Sequence, residues 1–391
     1  MKKILLLSDI DLPDSCALAV RVITFAKLFT ATGSDVFLLG TTSDKKKAET
    51  TQSLYGFKTK FIFCEQTNGL KSIGRIRKIK KEISAFLAMN RNLFDAIFLS
   101  NIYYDYADLF IKFSKKNKTP IIINSVEWYD KSDPGFKGVF GLLKLFKNRI
   151  ALKHFFPRFK NIIAISSLLA SYYNRKKCHV IRIPTILDMN DYANTAHRMT
   201  DKVIVSYAGS PAKKDIITSA IISMKNLDSS KKNKVEMHFY GTNENDVVSM
   251  GLTKNYLLSL ENVYFHGRIK QIEVKNIISS SDFTFLIRPN KRYANAGFPT
   301  KIGESFACGT PVIANITSDL SLYLKDGENS IIAKGTDVQF FEEALLKAIQ
   351  LNKSDIQLMR DRAKTTALKS FDYNNYIDSI KEFLNNLVCV K

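Results

Sequence analysis

Long apolar runs are missing from this sequence. No stretch reaches the roughly 18–20 residues that a membrane-spanning helix needs. The start, Met1-Lys2-Lys3 and then a short apolar run, begins like a secretory leader, but Asp9 and Asp11 end it, so it reads as a first buried strand. Cysteine is sparse. Cys16, Cys64, Cys178, Cys308 and Cys389 lie far apart, with no CxxC pair and no zinc-ligand spacing, which excludes a disulfide scaffold and fits reduced thiols of a cytoplasmic protein. The five histidines (His154, His179, His197, His238, His266) show no metal spacing either, and structural roles are expected for them. Short repeats and low-complexity tracts are absent. Because 45% of the 391 residues are hydrophobic, general disorder is excluded and two full cores can be built.

Positive charge, by contrast, is abundant and lopsided. The net charge is +21, and residues 1–190 hold 32 Lys and Arg against 15 Asp and Glu, whereas the remainder holds 26 against 22. A basic field confined to one half predicts an anionic surface on that side, with nucleic acid and anionic lipid as the usual candidates and solvated lysines as the plain alternative. Two segments carry that field. A helix is expected over 71–89, with Ile73, Ile76, Ile79, Ile83 and Phe86 on one face and Arg75, Arg77, Lys78, Lys80 and Lys81 around them. In 138–157, Val139, Leu142, Leu143, Phe146 and Ile150 form a helical stripe beside Lys144, Lys147, Arg149 and Lys153; it suits an interfacial helix on an anionic membrane or a core-packed helix.

Short apolar runs alternate with amphipathic segments along the chain. Strands are expected at 4–9, 36–40, 60–64, 96–99, 121–124, 162–165 and 180–183. A second series follows at 203–207, 235–240, 263–266, 283–287, 311–314 and 330–333. Buried strands between helices predict parallel sheets covered on both faces. The polar stretch 184–199 is read as a linker. This gives an α/β chain of two doubly wound domains, 1–188 and 200–371, with a final helix in 372–391; two such domains would face each other across a ligand-binding cleft.

The loops carry the chemistry. The segment from Arg288 to Asn315 runs strand, loop, helix, tight turn, strand. Gly297 is expected to allow close backbone approach, and Pro299 fits the first turn of a helix. The helix start around Phe298, Pro299, Thr300 and Lys301 would present free N–H groups and a positive dipole end, which suits a diphosphate. Arg288, Lys291, Arg292 and Lys301 add cations. Glu304, one turn further in, can accept two hydrogen bonds from adjacent hydroxyls such as those of a ribose. After the strand at 121–124, Glu127 and the sole tryptophan, Trp128, pair a carboxylate with an aromatic ring in a pattern that suits carbohydrate contact.

Gly297-Phe298, Glu304, Ala307 and Gly309-Thr310-Pro311-Val312-Ile313 resemble the nucleotide-sugar site of glycosyltransferase family 4, whose members have the GT-B fold of two Rossmann-like domains. The resemblance extends to Val205–Asp215 and to the crossing near Ile183-Pro184 and Asp188. It implies that Glu304 holds the donor ribose, that the backbone of Gly297–Thr300 faces the phosphates, and that the loop of Gly209 and Ser210 meets the diphosphate, with Lys213 and Lys214 as its cations. It also implies retention of anomeric configuration and a last helix that crosses back to the N-terminal domain. Two positions depart from the family: Ala296 stands where a first glutamate contacts the donor sugar, and Ser210 where arginine is common. Near the N-terminus, Ser15 and Arg21 take the place of a glycine-rich loop and are expected to contact the acceptor, as is Trp128.

The expected activity is therefore transfer of a hexose or derivative, without a cofactor, from a UDP- or GDP-linked donor to a glycan or lipid-linked acceptor in surface polysaccharide biosynthesis. Lys213, Lys214, Arg288 and Glu127 are its catalytic candidates, and domain closure assembles the site. No metal is expected, on the reading that no strand-end loop carries an Asp-x-Asp pair. The chain is expected in the cytoplasm, peripheral on the inner face of the plasma membrane. A GT-B-fold nucleotide-sugar epimerase and an inactive nucleotide-binding homologue are the alternatives. A nucleic-acid binder would explain the charge but not the segment from Gly297 to Pro311, so nucleic acid is not an expected partner.

Overall fold

Among the described residues, fourteen strands form two separate sheets. The computed structural model describes residues 1–390 apart from 14–15, 66–70, 101–103, 134–137, 194–196, 198–199 and 212–213. The chain divides into two units: Met1–Ser132, Phe136–Ile186 and Tyr373–Lys391 make the N-terminal one, Asp133–Gly135 and Leu187–Asp372 the C-terminal one.

The N-terminal unit contains β1 (Lys3–Ser8), β2 (Asp35–Thr42), β3 (Gln52–Leu54), β4 (Phe57–Phe63), β5 (Ala96–Ser100), β6 (Ile121–Ser125), β7 (Asn161–Ala164) and β8 (His179–Arg182). Their order is β3-β4-β2-β1-β5-β6-β7-β8, parallel throughout except for the β3–β4 pair. The central strands are apolar on both faces because helices cover both sides. Leu6 lies between Leu38 and Phe98, and Phe25 of the helix Ala17–Ala31 meets the Phe98 ring at 5.0 Å. Ile380, Phe383 and Leu384 of the last helix, Ile377–Asn385, join this same core. The short antiparallel β3 is a difference from the expected strands: three residues, with Ser53 exposed between half-buried Gln52 and Leu54, leave no apolar run to read.

The C-terminal unit contains β9 (Val203–Ala208), β10 (Val235–Tyr240), β11 (Val263–Gly267), β12 (Phe283–Leu286), β13 (Val312–Asn315) and β14 (Ser330–Ala333). All pair in parallel in the order β11-β10-β9-β12-β13-β14. The chain builds outward from β9 in one direction and then, from β12, in the other. The strand order therefore reverses between β9 and β12, and ligands of doubly wound sheets bind beyond the carboxyl ends of the strands at that point. The stretch read as a linker packs partly with this unit instead: Met189 and Tyr192 are buried, and the Lys275 ammonium lies 4.6 Å from the centre of the Tyr192 ring. No helix among the described residues is long and apolar enough to cross a membrane.

Candidate active site

The loops that leave β9 and β12 converge on one buried carboxylate, Asp215. Arg288, just after β12, donates from Nε to Asp215 Oδ1 at 2.6 Å. Lys301, in the first turn of the helix Thr300–Ala307, donates from Nζ to Asp215 Oδ2 at 2.5 Å and to the Tyr207 hydroxyl at 2.7 Å. Tyr207, near the end of β9, donates in turn to Asp215 Oδ2 at 2.6 Å. Burial opposes ionisation of Asp215, but Lys301 and Arg288 override it and hold the carboxyl down at about 2. Two cations around one anion leave this cluster net positive at the switch point.

Glycine is needed beside it. Gly209 has φ +131°, and a Cβ there would lie 2.7 Å from Lys301 Cε, so its bareness makes room for that side chain. Gly241, at φ +84°, supports Gly209 from below: a Cβ there would lie 2.7 Å from the Gly209 carbonyl carbon. Gly241→Ala is expected to destabilise the unit by roughly 1–3 kcal/mol, because backbone rather than a flexible side chain must shift. Thermal unfolding checks this; an unchanged midpoint would contradict it. Gly297 has an ordinary backbone conformation. Its φ of −82° and ψ of 177° are open to any residue, so no left-handed turn requires glycine there.

Among the described residues no side chain caps the helix Thr300–Ala307, whose N-cap is Pro299. Its first-turn amides therefore keep the partial positive charge of a helix start. Phe298 is buried, packed edge-on against Tyr323 at 5.5 Å and tilted against Phe371 at 5.8 Å. Its ring thus anchors the loop and leaves only its backbone to face a ligand, the role expected of it. The loop is pinned further by Ser318, which donates from Oγ to Gly297 O at 2.5 Å and from N to Asn295 Oδ1 at 2.7 Å.

Glu304 lies one turn into this helix. Its carboxylate has no hydrogen-bond or ion-pair partner among the described residues, although it is only half-buried. Burial pushes its carboxyl above the ordinary glutamate range, against the pull of Lys301 and Lys275. An unpaired, partly desolvated carboxylate is costly, and here it stands beside uncapped amides and a net-positive cluster.

Residues 190–367 match the family model described as Glycosyl transferases group 1. The C-terminal unit carries a group 1 glycosyltransferase domain. No curated protein matches the sequence. Among solved structures, the glycosyltransferase shares its fold with sucrose-phosphate synthase from Thermosynechococcus elongatus, at TM-score 0.75 and 14% identity over 98% of both chains. Anabaena HepE, solved with UDP and glucose, gives TM-score 0.68 and 14% identity over 99% of this chain and 100% of that one. WaaG, a glycosyltransferase involved in lipopolysaccharide biosynthesis, gives 0.66 and 11% over 98% and 100%. At such identities the likeness is one of fold, the GT-B fold of two parallel-sheet α/β domains.

In this glycosyltransferase, Asp215, Arg288, Lys301 and Glu304 all fall inside the matched segment. Other expected site residues are distributed less simply. Lys213 and Ser15 lie outside the described residues. Lys214 is half-buried, its amide donating to Pro211 O at 3.3 Å, and Ser210 is exposed. Ala296 is wholly buried in the short helix Arg292–Ala296. In the N-terminal unit, Glu127 and Trp128 stand half-buried in the loop after β6, with Trp128 edge-on to Tyr172 at 4.6 Å.

Arg21 corrects its expected role. Its side chain is 4% exposed and donates to Pro184 O at 2.5 Å, to Ile183 O at 3.0 Å and to Asn124 Oδ1 at 3.4 Å. It fastens the helix Ala17–Ala31 to the end of the unit's sheet and is not free to meet an acceptor. The reading that no strand-end loop holds an Asp-x-Asp pair also needs correction, because Asp9-Ile10-Asp11 follows β1. Arg75 donates from both terminal nitrogens to Asp9, at 3.0 and 2.5 Å, with Thr41 Oγ1 at 3.0 Å, while Lys47 reaches Asp11 at 2.5 Å. Arg75 is consequently turned inward from the basic face of its helix, Lys71–Met89.

Sequence reasoning missed Tyr207 and passed over Asp215 as a site residue. The available signal was an aspartate closing a lysine-bearing loop: an acid placed among cations meant for an anion needs a reason.

Proposed function

We propose that the chain transfers a hexose or hexose derivative, with retention, from a nucleoside-diphosphate sugar to a glycan or lipid-linked acceptor in surface polysaccharide biosynthesis. The observation that carries this reading is the unpaired Glu304 carboxylate one turn inside an uncapped helix start. In this proposal the diphosphate meets the first-turn amides of Thr300 and Lys301, and Glu304 accepts from the ribose hydroxyls. Arg288, Lys301, Lys213 and Lys214 stabilise the charge that develops on the leaving diphosphate, the part a metal plays in other transferases. Support for the donor class comes from HepE, solved with UDP and glucose, and for the acceptor context from WaaG. Retention rests on the family 4 resemblance. The test is a nucleotide-release screen of UDP-, GDP- and ADP-sugars with lipid-linked acceptors. Release that requires an acceptor is expected. Donor conversion without acceptor would favour the epimerase, and no release from any donor would remove the reading.

The acceptor and an anionic membrane surface are assigned to the basic N-terminal unit. On the helix Gly138–Ile150, Leu142, Leu143 and Phe146 are 53%, 52% and 60% exposed, with Lys144 and Arg149 beside them. Apolar side chains flanked by cations suit the headgroup boundary of an anionic bilayer. Arg75 and Lys80 contribute less than their sequence suggests, since they pair with Asp9 and Asp108. Substituting serine for Leu142, Leu143 and Phe146 together is expected to lower flotation with anionic liposomes at least tenfold, each lost apolar contact removing roughly 1.5 kcal/mol or more. Equal flotation of the variant, or equal wild-type binding to neutral vesicles, would contradict this.

A further inference from the structure

Asp215 is the buried ionised group to which the donor reading gives no task. Both its oxygens are engaged: Arg288 Nε on Oδ1, Lys301 Nζ and Tyr207 Oη on Oδ2. What the cations keep open matters more. Among the described residues, Arg288 Nη1 and Nη2 have no hydrogen-bond partner, and Lys301 Nζ has one N–H beyond those given to Asp215 and Tyr207. Both side chains remain partly exposed, Arg288 at 15% and Lys301 at 25%, whereas Asp215 is at 3%. Each ion pair thus holds a cation by its inner side and spares its outer side.

Without such an anchor, a lysine and an arginine at neighbouring loop ends repel each other and spread over many rotamers. Resting on the donor-site reading above, we infer that Asp215 is a positioning residue for the leaving group: it holds Arg288 and Lys301 as fixed donors to the diphosphate, and Tyr207 fixes Asp215 in turn. The Arg288 fork then presents two terminal nitrogens to phosphate oxygens, and the bare Gly209 lets Lys301 lie flat against the loop that follows β9. Donors already in place need no reorganisation as charge builds on the diphosphate.

Among the described residues, four groups face the Lys301 ammonium: Tyr207 from β9, Asp215 and Arg288 from the two loops, and Glu304 from its own helix. Burial pushes the ammonium down from the ordinary lysine range and Arg288 adds to this, while Asp215 and Glu304 pull it up. Removing the Asp215 charge therefore lets Lys301 lose its proton at lower pH. This gives a readout that a merely structural role would not move.

The experiment measures kcat and donor KM against pH for the full chain and for Asp215→Asn, with a donor found active in the release screen. The expected result is a roughly 100-fold lower kcat, a smaller change in donor KM, and an alkaline limb displaced by about one unit or more toward lower pH. Unchanged kcat, or a reduced kcat with the alkaline limb in its wild-type place, would overturn the inference. Should the Asn variant not fold, Tyr207→Phe takes its place. It keeps the ring against Phe239 and Phe285 and removes only the hydroxyl; a smaller shift of the limb in the same direction is expected, and no shift overturns the inference. Glu304→Ala separates the two failures: if it leaves donor KM unchanged the donor reading is wrong, and if it abolishes donor use while Asp215→Asn is silent only the positioning role falls.

Discussion

Glu304→Ala should lose donor binding by at least 100-fold while the protein stays folded. A carboxylate that accepts two hydroxyl hydrogen bonds contributes about 1.5–3 kcal/mol from each, and every 1.4 kcal/mol is tenfold in affinity. Glu304→Gln keeps one good acceptor and should fall between. Stability should move the other way. Burial raises the Glu304 carboxyl above its unfolded value, so whatever stability it lends exists at acid pH and is lost as pH rises through the raised value. At neutral pH the carboxylate is a cost to the free protein, and both variants should melt at or above the wild-type temperature. Calorimetric titration with a nucleoside diphosphate and a thermal scan check the two halves. A variant that binds as well as wild type, or that melts well below it, makes Glu304 an ordinary helix residue.

Arg21→Ala is expected to lower stability by about 3 kcal/mol with no direct effect on donor affinity. Burial pushes the guanidinium down to about 9, a sign that the site holds a charge without a carboxylate beside it. Its donors nevertheless satisfy the carbonyls of Ile183 and Pro184, and its plane lies over the Phe25 ring at 4.8 Å. Truncation leaves two buried carbonyls unpaired at about 1–3 kcal/mol each and opens a void beside Phe25. Relief of the desolvated charge offsets part of this but does not refill the space. For a unit of this size the melting temperature should fall by roughly 6–12 °C. A drop below about 2 °C would return Arg21 to the list of candidate acceptor contacts.

The central strands of both sheets were legible because parallel, doubly covered strands are apolar on both faces, as in β1, β5 and β12; β10 and β11, nearer the edge, show alternation instead. β3 was not legible, since a three-residue edge strand has no pattern. On the site, Glu304 and the helix start could be read because Pro299 and the Gly309 turn, at φ +71°, bracket a short amphipathic helix. Arg21 and Arg75 could not: a charged residue near a strand end looks the same in sequence whether it faces a ligand or closes a core. Asp215 was hidden for a related reason. Its partners sit 73 and 86 positions away, and only the reversal of strand order between β9 and β12 brings them within hydrogen-bond reach. Phe298 was placed in the right loop, but its burial depends on Tyr323 and Phe371, which no local spacing links to it.

The most direct test of the account is a crystal structure of the protein with a bound nucleoside diphosphate. The account predicts ribose hydroxyls within hydrogen-bond distance of the Glu304 carboxylate, phosphate oxygens at the amides of Thr300 and Lys301, and Arg288 Nη atoms turned toward the diphosphate. A nucleotide bound elsewhere, or one whose ribose lies beyond reach of Glu304, would contradict it.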